Sequence, residues 1–234
     1  MVWIKQGFEY KVPYFIFSSS CSVYGDIDEL PVNEDTPLHP ISPYGSTKQT
    51  GEQLVKEFAN SYAGLKAVIL RYFNPVGAHL SGKIGEIPLN RPSNLVPVIT
   101  QTAIGKVKET IVFGDDFNTR DGSCIRDYVH VSDIAKAHVE ALLYLEKNNV
   151  TPPCSVFNLG TGNGVSVLEM IRAFEKVSGL KLKYRIGEKR PGDVAAIYSD
   201  LSKAQKILGW TPRYSLEDMM LSAWKWEQNL KEGA

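Results

Sequence analysis

Tyr44 and Lys48 stand four residues apart, a spacing that puts both side chains on one face of a helix. An ammonium beside a phenol favours the phenolate and lowers its pKa from about 10. A tyrosine poised in this way is a general base for an alcohol proton. The spacing alone is generic: Tyr62 and Lys66 repeat it across Gly64, where a helix stops. A second feature lies upstream. The apolar run Tyr14-Phe15-Ile16-Phe17 ends in Ser18-Ser19-Ser20. Hydroxyls at the C-terminal end of a parallel strand lie where doubly wound sheets bind ligands. The same three serines also suit an ordinary strand end whose hydroxyls satisfy loop backbone. Together, a strand delivers a serine hydroxyl and a helix delivers a tyrosine and a lysine. Those groups can take the proton of an alcohol while another group takes its hydride.

Other residues offer less specific chemistry. Arg126 and Arg190 sit in the polar patches Arg126-Asp127-Tyr128 and Lys189-Arg190-Pro191-Gly192-Asp193. Guanidinium forks suit phosphate, and surface salt bridges are the alternative. Asn74 and Asn94 are short amides near element ends, fit for a sugar or uracil contact or for capping. Gly160-Thr161-Gly162-Asn163-Gly164 follows a strand pattern and precedes a helical one. Its G-x-G-x-G spacing departs from G-x-G-x-x-G, and no acidic residue ends a next strand some 20 positions on. A tight strand-to-helix turn fits it better than a phosphate loop.

The elements that must position these groups follow from pattern. Residues 13–19 read as a buried strand without polar alternation, the mark of a parallel sheet. Residues 26–43 are a proline-punctuated loop. Leu54, Val55, Phe58 and Tyr62 recur at helical spacing from Tyr44 to about Ala63. Residues 66–73 form a second buried strand, which completes one βαβ unit. Residues 75–93 read as irregular. A helix spans about 95–104, and strands lie at 110–114 and 125–131. Ser132 and Asp133 are expected to cap a helix running to about Leu145. A strand at 155–159, a helix to Val177, a strand at 181–186 and helices at 202–208 and 215–230 complete the chain. Residues 2–7 resemble a last helical turn stopped by Gly7. The fold class is therefore α/β: a partial doubly wound parallel sheet, Rossmann-like with its first strands missing, and a smaller α/β domain. The expected boundary gives 1–78 to the first and 79–234 to the second, with some strands of the latter returning to the main sheet.

Composition narrows the class. The 234 residues carry 26 basic and 26 acidic side chains, so no global field recruits nucleic acid or an anionic membrane. There is no apolar run of about 18 residues. Cys21, Cys124 and Cys154 are odd in number and widely spaced, which suits a reduced, cytoplasmic protein and gives no metal pattern.

Read in order, a set of motifs resembles the extended short-chain dehydrogenase/reductase family, and within it the UDP-glucose 4-epimerase branch. They are Phe17-Ser18-Ser19-Ser20, Val23-Tyr24-Gly25, Pro43-Tyr44-Gly45 with Lys48, Arg71-Tyr72-Phe73-Asn74-Pro75-Val76-Gly77-Ala78-His79, Asn94-Leu95, Val112-Phe113-Gly114, Arg126-Asp127-Tyr128, Asn158-Leu159-Gly160, Arg190-Pro191-Gly192-Asp193 and Leu208-Gly209-Trp210. The resemblance implies NAD as cofactor and a UDP-hexose as substrate. Tyr44 would remove the sugar 4-hydroxyl proton, hydride would pass to NAD, and a 4-keto sugar would turn and take the hydride back. Ser20 would relay the proton. Lys48 would hold the nicotinamide ribose, with Ser18, Tyr44 and Phe73 also at the cofactor. The substrate would meet Ser20, Cys21, Ser22, Asn74, Asn94, Leu95, Phe113, Arg126, Tyr128, Arg190, Asp193 and Ile197. Family dehydratases place an Asp-Glu pair where this chain has Cys21 and Ser22. Ile197 lies four after Asp193, where such epimerases line the sugar pocket, and leaves N-acetylated sugars undecided.

The resemblance also implies a glycine fingerprint and a ribose-binding acid ahead of Val12, and the chain shows neither there. The expectation is a truncated epimerase that binds NAD poorly and turns over slowly or not at all. The alternatives are another nucleotide-sugar epimerase or reductase of this fold, and a non-catalytic UDP-sugar-binding fragment. The family typically forms homodimers through helices, for which 44–63 is the candidate; its apolar residues also suit sheet-facing core.

Overall fold

The computed structural model describes residues 9–88, 90, 92–147 and 152–232. The helical turn expected over 2–7 lies outside these residues. In chain order the elements are β1 (Tyr14–Ser20), α1 (Pro43–Ser61), β2 (Lys66–Tyr72), β3 (Asn74–Val76), α2 (Leu95–Ala103), β4 (Thr110–Phe113), β5 (Ile125–His130) and α3 (Val131–Glu146). Then follow β6 (Cys154–Leu159), β7 (Gly164–Ser166), α4 (Val167–Ser178), β8 (Tyr184–Gly187), β9 (Ala196–Ile197) and α5 (Leu216–Glu232). The chain divides into two compact units. One is Met1–Phe73, Ile134–Gly162 and Ser199–Thr211; the other is Asn74–Asp133, Asn163–Tyr198 and Pro212–Ala234.

The first unit is built on a parallel sheet in the order β1-β2-β6. Central β2 is buried along Ala67–Arg71, which explains its unbroken apolar sequence. Helix α1 connects β1 to β2 and packs Val55 and Ala59 on Phe15, Phe17, Ala67 and Ile69. The opposite face meets α3, whose Tyr144 hydroxyl lies 3.0 Å from Ser155 Oγ and whose ring stands edge-on to Phe157. Helices on both faces make the sheet doubly wound and Rossmann-like.

In the second unit β5 is the centre. It pairs in parallel with β3 and β9 and antiparallel with β7. β4 and β8 form a separate parallel pair. Met170, Ile171 and Phe174 of α4 pack with Ile99 of α2 and with Met219 and Met220 of α5. Phe174 meets Trp224 edge-on at 5.5 Å.

Several local expectations change. α1 starts at Pro43 rather than Tyr44, because Ser42 accepts the Gly45 N–H and proline suits the first helical position. The helix ends at Ser61 rather than about Ala63; Tyr62 is already extended, and the second Tyr–Lys spacing lacks helical geometry as expected. Asn74–Val76 form a strand that runs into the stretch from residue 75 expected to be irregular, because β5 pairs with them. α3 begins at Val131, ahead of both expected caps. The His130 ring accepts the Ser132 N–H, and the Asp133 carboxylate accepts the N–H groups of Arg213 and Tyr214. The glycine loop leads into β7, not directly into a helix. α4 opens instead on a reciprocal Ser166–Glu169 cap. β8 starts only at Tyr184, and residues 204–208 are a π-helical turn stopped by Gly209.

Candidate active site

Ser20, Tyr44 and Lys48 belong to the first unit, and the end of β1 positions them. β1 closes at Ser20, and its last three residues are serines. Ser20 Oγ accepts the N–H of Ser22 at 3.2 Å and lies 3.0 Å from Ser22 Oγ, capping a 3-10 turn that contains Cys21. Ser20 thus satisfies loop backbone, the other role open to a serine at a strand end.

α1 brings up the basic pair. Tyr44 is 57% exposed, so its phenol is open to a reactant. The Lys48 ammonium donates to the Ser18 carbonyl at 2.9 Å and stands 5.5 Å from the centroids of both the Tyr44 and Phe17 rings. The strand thus anchors the lysine and holds its charge close to the phenol. Ser18 itself is exposed. Phe73 is buried and packs near Tyr24 at 6.5 Å between rings.

Two glycines let the helix come this close. A Cβ on Gly45 would stand 2.5 Å from the Ser22 carbonyl oxygen, and one on Gly51 would stand 2.4 Å from the Phe17 ring. A buried network fixes the helix from below. Glu52, one turn beyond Lys48, accepts from two of the three Arg71 nitrogens at 2.7 and 2.8 Å and from the Ser19 hydroxyl at 2.6 Å. Arg71 also donates to the Tyr24 hydroxyl, which donates to Asn158. Burial pushes the Tyr24 phenol up to about 12 despite the opposing guanidinium. Glu52 escaped the sequence reading, although it continues the four-residue series of Tyr44 and Lys48.

The expected nucleotide-binding residues lie in the second unit, where two groups form. Asp193 joins Arg190, at 2.9 and 3.2 Å, to Arg126 at 3.6 Å. Arg126 also donates to the Val194 and Ile125 carbonyls, which fixes its fork. The Arg190 guanidinium lies 4.6 Å above the Phe113 ring. Two cations share one carboxylate, so the cluster retains positive charge and suits a phosphate. The salt bridges offered as the alternative are thus present, and they orient the guanidiniums. Ile197 is buried beside Arg126 in the β5–β9 register.

The other group is Asn74 and Tyr128, paired across β3 and β5. Among the described residues, Asn74 Oδ1 is the buried side-chain polar atom without a hydrogen-bond partner. Such an atom costs free energy unless a ligand donor meets it. Burial drives the Tyr128 phenol above the ordinary tyrosine range, with Arg126 opposing, so it stays a donor. Asn94 is exposed at the start of α2 and its side chain makes no capping bond. Leu95 is half-buried against the core. No group of three or more metal-binding side chains is found among the described residues.

Comparison with known proteins agrees with this construction. The family model described as GDP-mannose 4,6 dehydratase matches residues 4–222. The chain belongs to that family, a branch of the extended short-chain dehydrogenases/reductases. Similar proteins include UDP-glucose 4-epimerases. That of Bacillus subtilis (strain 168) is 45% identical over 225 residues, which are 96% of this chain and 66% of the relative. That of Cyamopsis tetragonoloba is 46% identical over 92% of this chain and 60% of its own. The chain therefore spans less than two thirds of the length of these curated relatives. The structure of UDP-glucose 4-epimerase from Bifidobacterium longum in complex with NAD+ and UDP has a TM-score of 0.93 and 44% identity, over 100% of this chain and 69% of that one. The enzyme from Stenotrophomonas maltophila, with bound NAD and formylated UDP-arabinopyranose, gives 0.95 and 44%, over 99% and 68%.

Proposed function

We propose that this chain carries the chemistry of a UDP-glucose/UDP-galactose 4-epimerase. The observation that supports this most is the Lys48 ammonium, held on the Ser18 carbonyl and 5.5 Å from the ring of an exposed Tyr44. Tyr44 takes the proton from the sugar 4-hydroxyl and later returns it. Ser20 exchanges its Ser22 partners for the same oxygen and steadies it. Lys48 supplies the charge that favours the tyrosinate. NAD, when bound, supplies the hydride acceptor and donor, and Ser18, Tyr44, Lys48 and Phe73 are the residues proposed to hold it. The exposed Ser18 hydroxyl and Tyr44 phenol fit such a ligand.

In the second unit, Arg126 and Arg190 are proposed to hold the diphosphate, oriented by Asp193. Asn74 offers its unpaired Oδ1 to a hydroxyl or imide donor of the nucleotide sugar, and Tyr128 donates beside it. Phe113, Asn94 and Leu95 are proposed around the uracil, with Cys21, Ser22 and Ile197 toward the sugar. Dehydration, the reaction in the family model's name, needs an acid to protonate a leaving hydroxyl. Cys21 and Ser22 occupy the places where the family's dehydratases carry their acidic pair, which favours epimerisation.

No helix among the described residues is long and apolar enough to cross a membrane. A cytoplasmic location is proposed because Cys21, Cys124 and Cys154 form no disulfide. A homodimer through α1 is proposed on Leu54, Phe58 and Tyr62, which are only half-buried in the single chain. The test is proton NMR of UDP-galactose with the chain and NAD. UDP-glucose is the expected product, and UDP-glucuronate should be left unchanged. Conversion of UDP-glucuronate alone would move the assignment to another epimerase of this fold. UDP-sugar binding without conversion would leave the chain a binding role only.

A further inference from the structure

β4 and β8 run in parallel and end together, with Phe113 opposite Gly187. The Gly114 N–H still donates to the Gly187 carbonyl at 2.9 Å, and from there two segments leave the pair. One, 115–122, folds back on itself. The Phe117 N–H donates to the Gly122 carbonyl at 3.0 Å, and a Cβ on Gly122 would stand 1.9 Å from the Asp115 carbonyl oxygen. The other, 188–193, carries Arg190 and Asp193 of the Arg126–Asp193–Arg190 cluster.

Lys189 joins the two segments. Its ammonium lies 2.8 Å from an Asp116 carboxylate oxygen and 4.4 Å from the centroid of the Phe117 ring. Its stem crosses Gly114, where a Cβ would stand 2.7 Å from Lys189 Cγ and 2.6 Å from the Phe117 ring. Gly114 has φ +81°, so both its conformation and the packing exclude a larger residue there. The hydrogen bond from Lys189 holds the Asp116 carboxyl below the usual carboxylate range. The next residue repeats the pattern, with the Arg190 guanidinium 4.6 Å from the Phe113 ring. Two successive cations thus lie on two rings four residues apart in sequence.

An exposed ion pair adds little to the stability of a fold. This one stands beside a guanidinium that has to be aimed. The Lys189 ammonium is committed to Asp116, so it is not the group offered to a ligand. We propose that Lys189, latched to Asp116 and Phe117, is a positioning residue that holds Arg190 over Phe113 in the orientation that receives the diphosphate of a nucleotide. The benefit is preorganisation, because 188–193 is ordered before the ligand arrives. The role rests on the reading of Arg190 as a phosphate ligand.

The latch is tested in the full chain, first without ligand. Carbon-13 spectra follow the Asp116 carboxyl through its titration, and Asp116→Asn assigns the signal. The midpoint is expected below the ordinary value of about 3.9 and should rise toward it in Lys189→Met. A midpoint indifferent to Lys189→Met overturns the latch. Calorimetry with UDP then reads the role. Lys189→Met and Asp116→Asn should each weaken UDP binding about three- to fivefold, with the melting temperature unchanged. The double variant should lose no more than either alone. Losses that add show two independent contacts and overturn the proposal. A lysine held in reserve for phosphate gives the opposite sign, since Asp116→Asn frees the ammonium and removes a repelling charge. Tighter UDP binding in Asp116→Asn therefore overturns the proposal, as does wild-type affinity in Lys189→Met when Arg190→Ala binds weakly. UDP affinity indifferent to Arg190→Ala defeats the phosphate reading instead, and the role of the latch falls with it.

Discussion

Glu52 moves no proton in the reaction proposed here, yet it fixes the residues that do. It is 1% exposed and meets Arg71 through two nitrogens. Removing one partner of such a pair strands the other charge in the interior. Glu52→Ala is therefore expected to cost about 3–5 kcal/mol, read as a lower urea midpoint. Full stability in that variant would mean that Arg71 finds another partner. His130 is a second buried group with a measurable signature. Its Nδ1 accepts the Ser132 N–H, and its Nε2 lies 3.1 Å from Ser222 Oγ. Burial lowers its pKa below the ordinary 6.5, against the pull of Asp133 and Asp218 and with a small push from His79. The unfolded chain then binds a proton more readily than the folded one. The stability this contributes is present above about pH 6.5 and is lost as the pH falls toward the folded value, by at most about 1.4 kcal/mol per unit. His130→Gln should flatten that part of a stability–pH curve; an unchanged slope would assign it to other groups. At this scale the Tyr44–Lys48 pair was legible, because helical spacing is local. The Glu52–Arg71 and Lys189–Asp116 contacts were not, because strand pairing and helix docking create them.

Helix α1 is seated by the absence of side chains. Gly51 lies against Phe17, and Gly45 lies against Ser22 and Pro40. Gly51→Val forces the Phe17 ring or α1 to move, and an overpacked contact costs about 1–3 kcal/mol. The melting temperature should fall, and adding Phe17→Ala should recover part of the loss. Purely additive losses would show that the two residues do not clash. The elements themselves were largely readable. Apolar runs gave β1, β2 and β6, and helical periodicity gave α1, α4 and α5. The short strands β3, β7 and β9 were not readable, because two or three residues carry no period and exist only through pairing with β5. The start of α3 was misplaced for a related reason. Ser132 and Asp133 have capping side chains, but the ring of His130 and the backbone at Arg213 claim the bonds.

Over the whole molecule, each unit is assembled from stretches far apart in sequence, and so is each group of proposed site residues within it. Arg126 and Asp193 were separate motifs in the sequence. The β5–β9 pairing and the Val194 carbonyl bring them together. Motif order was nonetheless enough to indicate the family, because the family's residues recur in sequence even where their contacts are not visible. If the Arg126–Asp193–Arg190 cluster holds a diphosphate, Arg190→Ala should weaken UDP binding about tenfold or more, by calorimetry, as expected for loss of a charge-assisted fork. Unchanged affinity would move the phosphate elsewhere. The central claim is that Tyr44 is the base and Lys48 its support. The direct measurement is conversion of UDP-galactose by the chain, by Tyr44→Phe and by Lys48→Met, with UDP affinity measured beside it. The account expects UDP affinity unchanged in both variants, with turnover lost in Tyr44→Phe and reduced by about 10²-fold or more in Lys48→Met. Turnover that survives in Tyr44→Phe would contradict it.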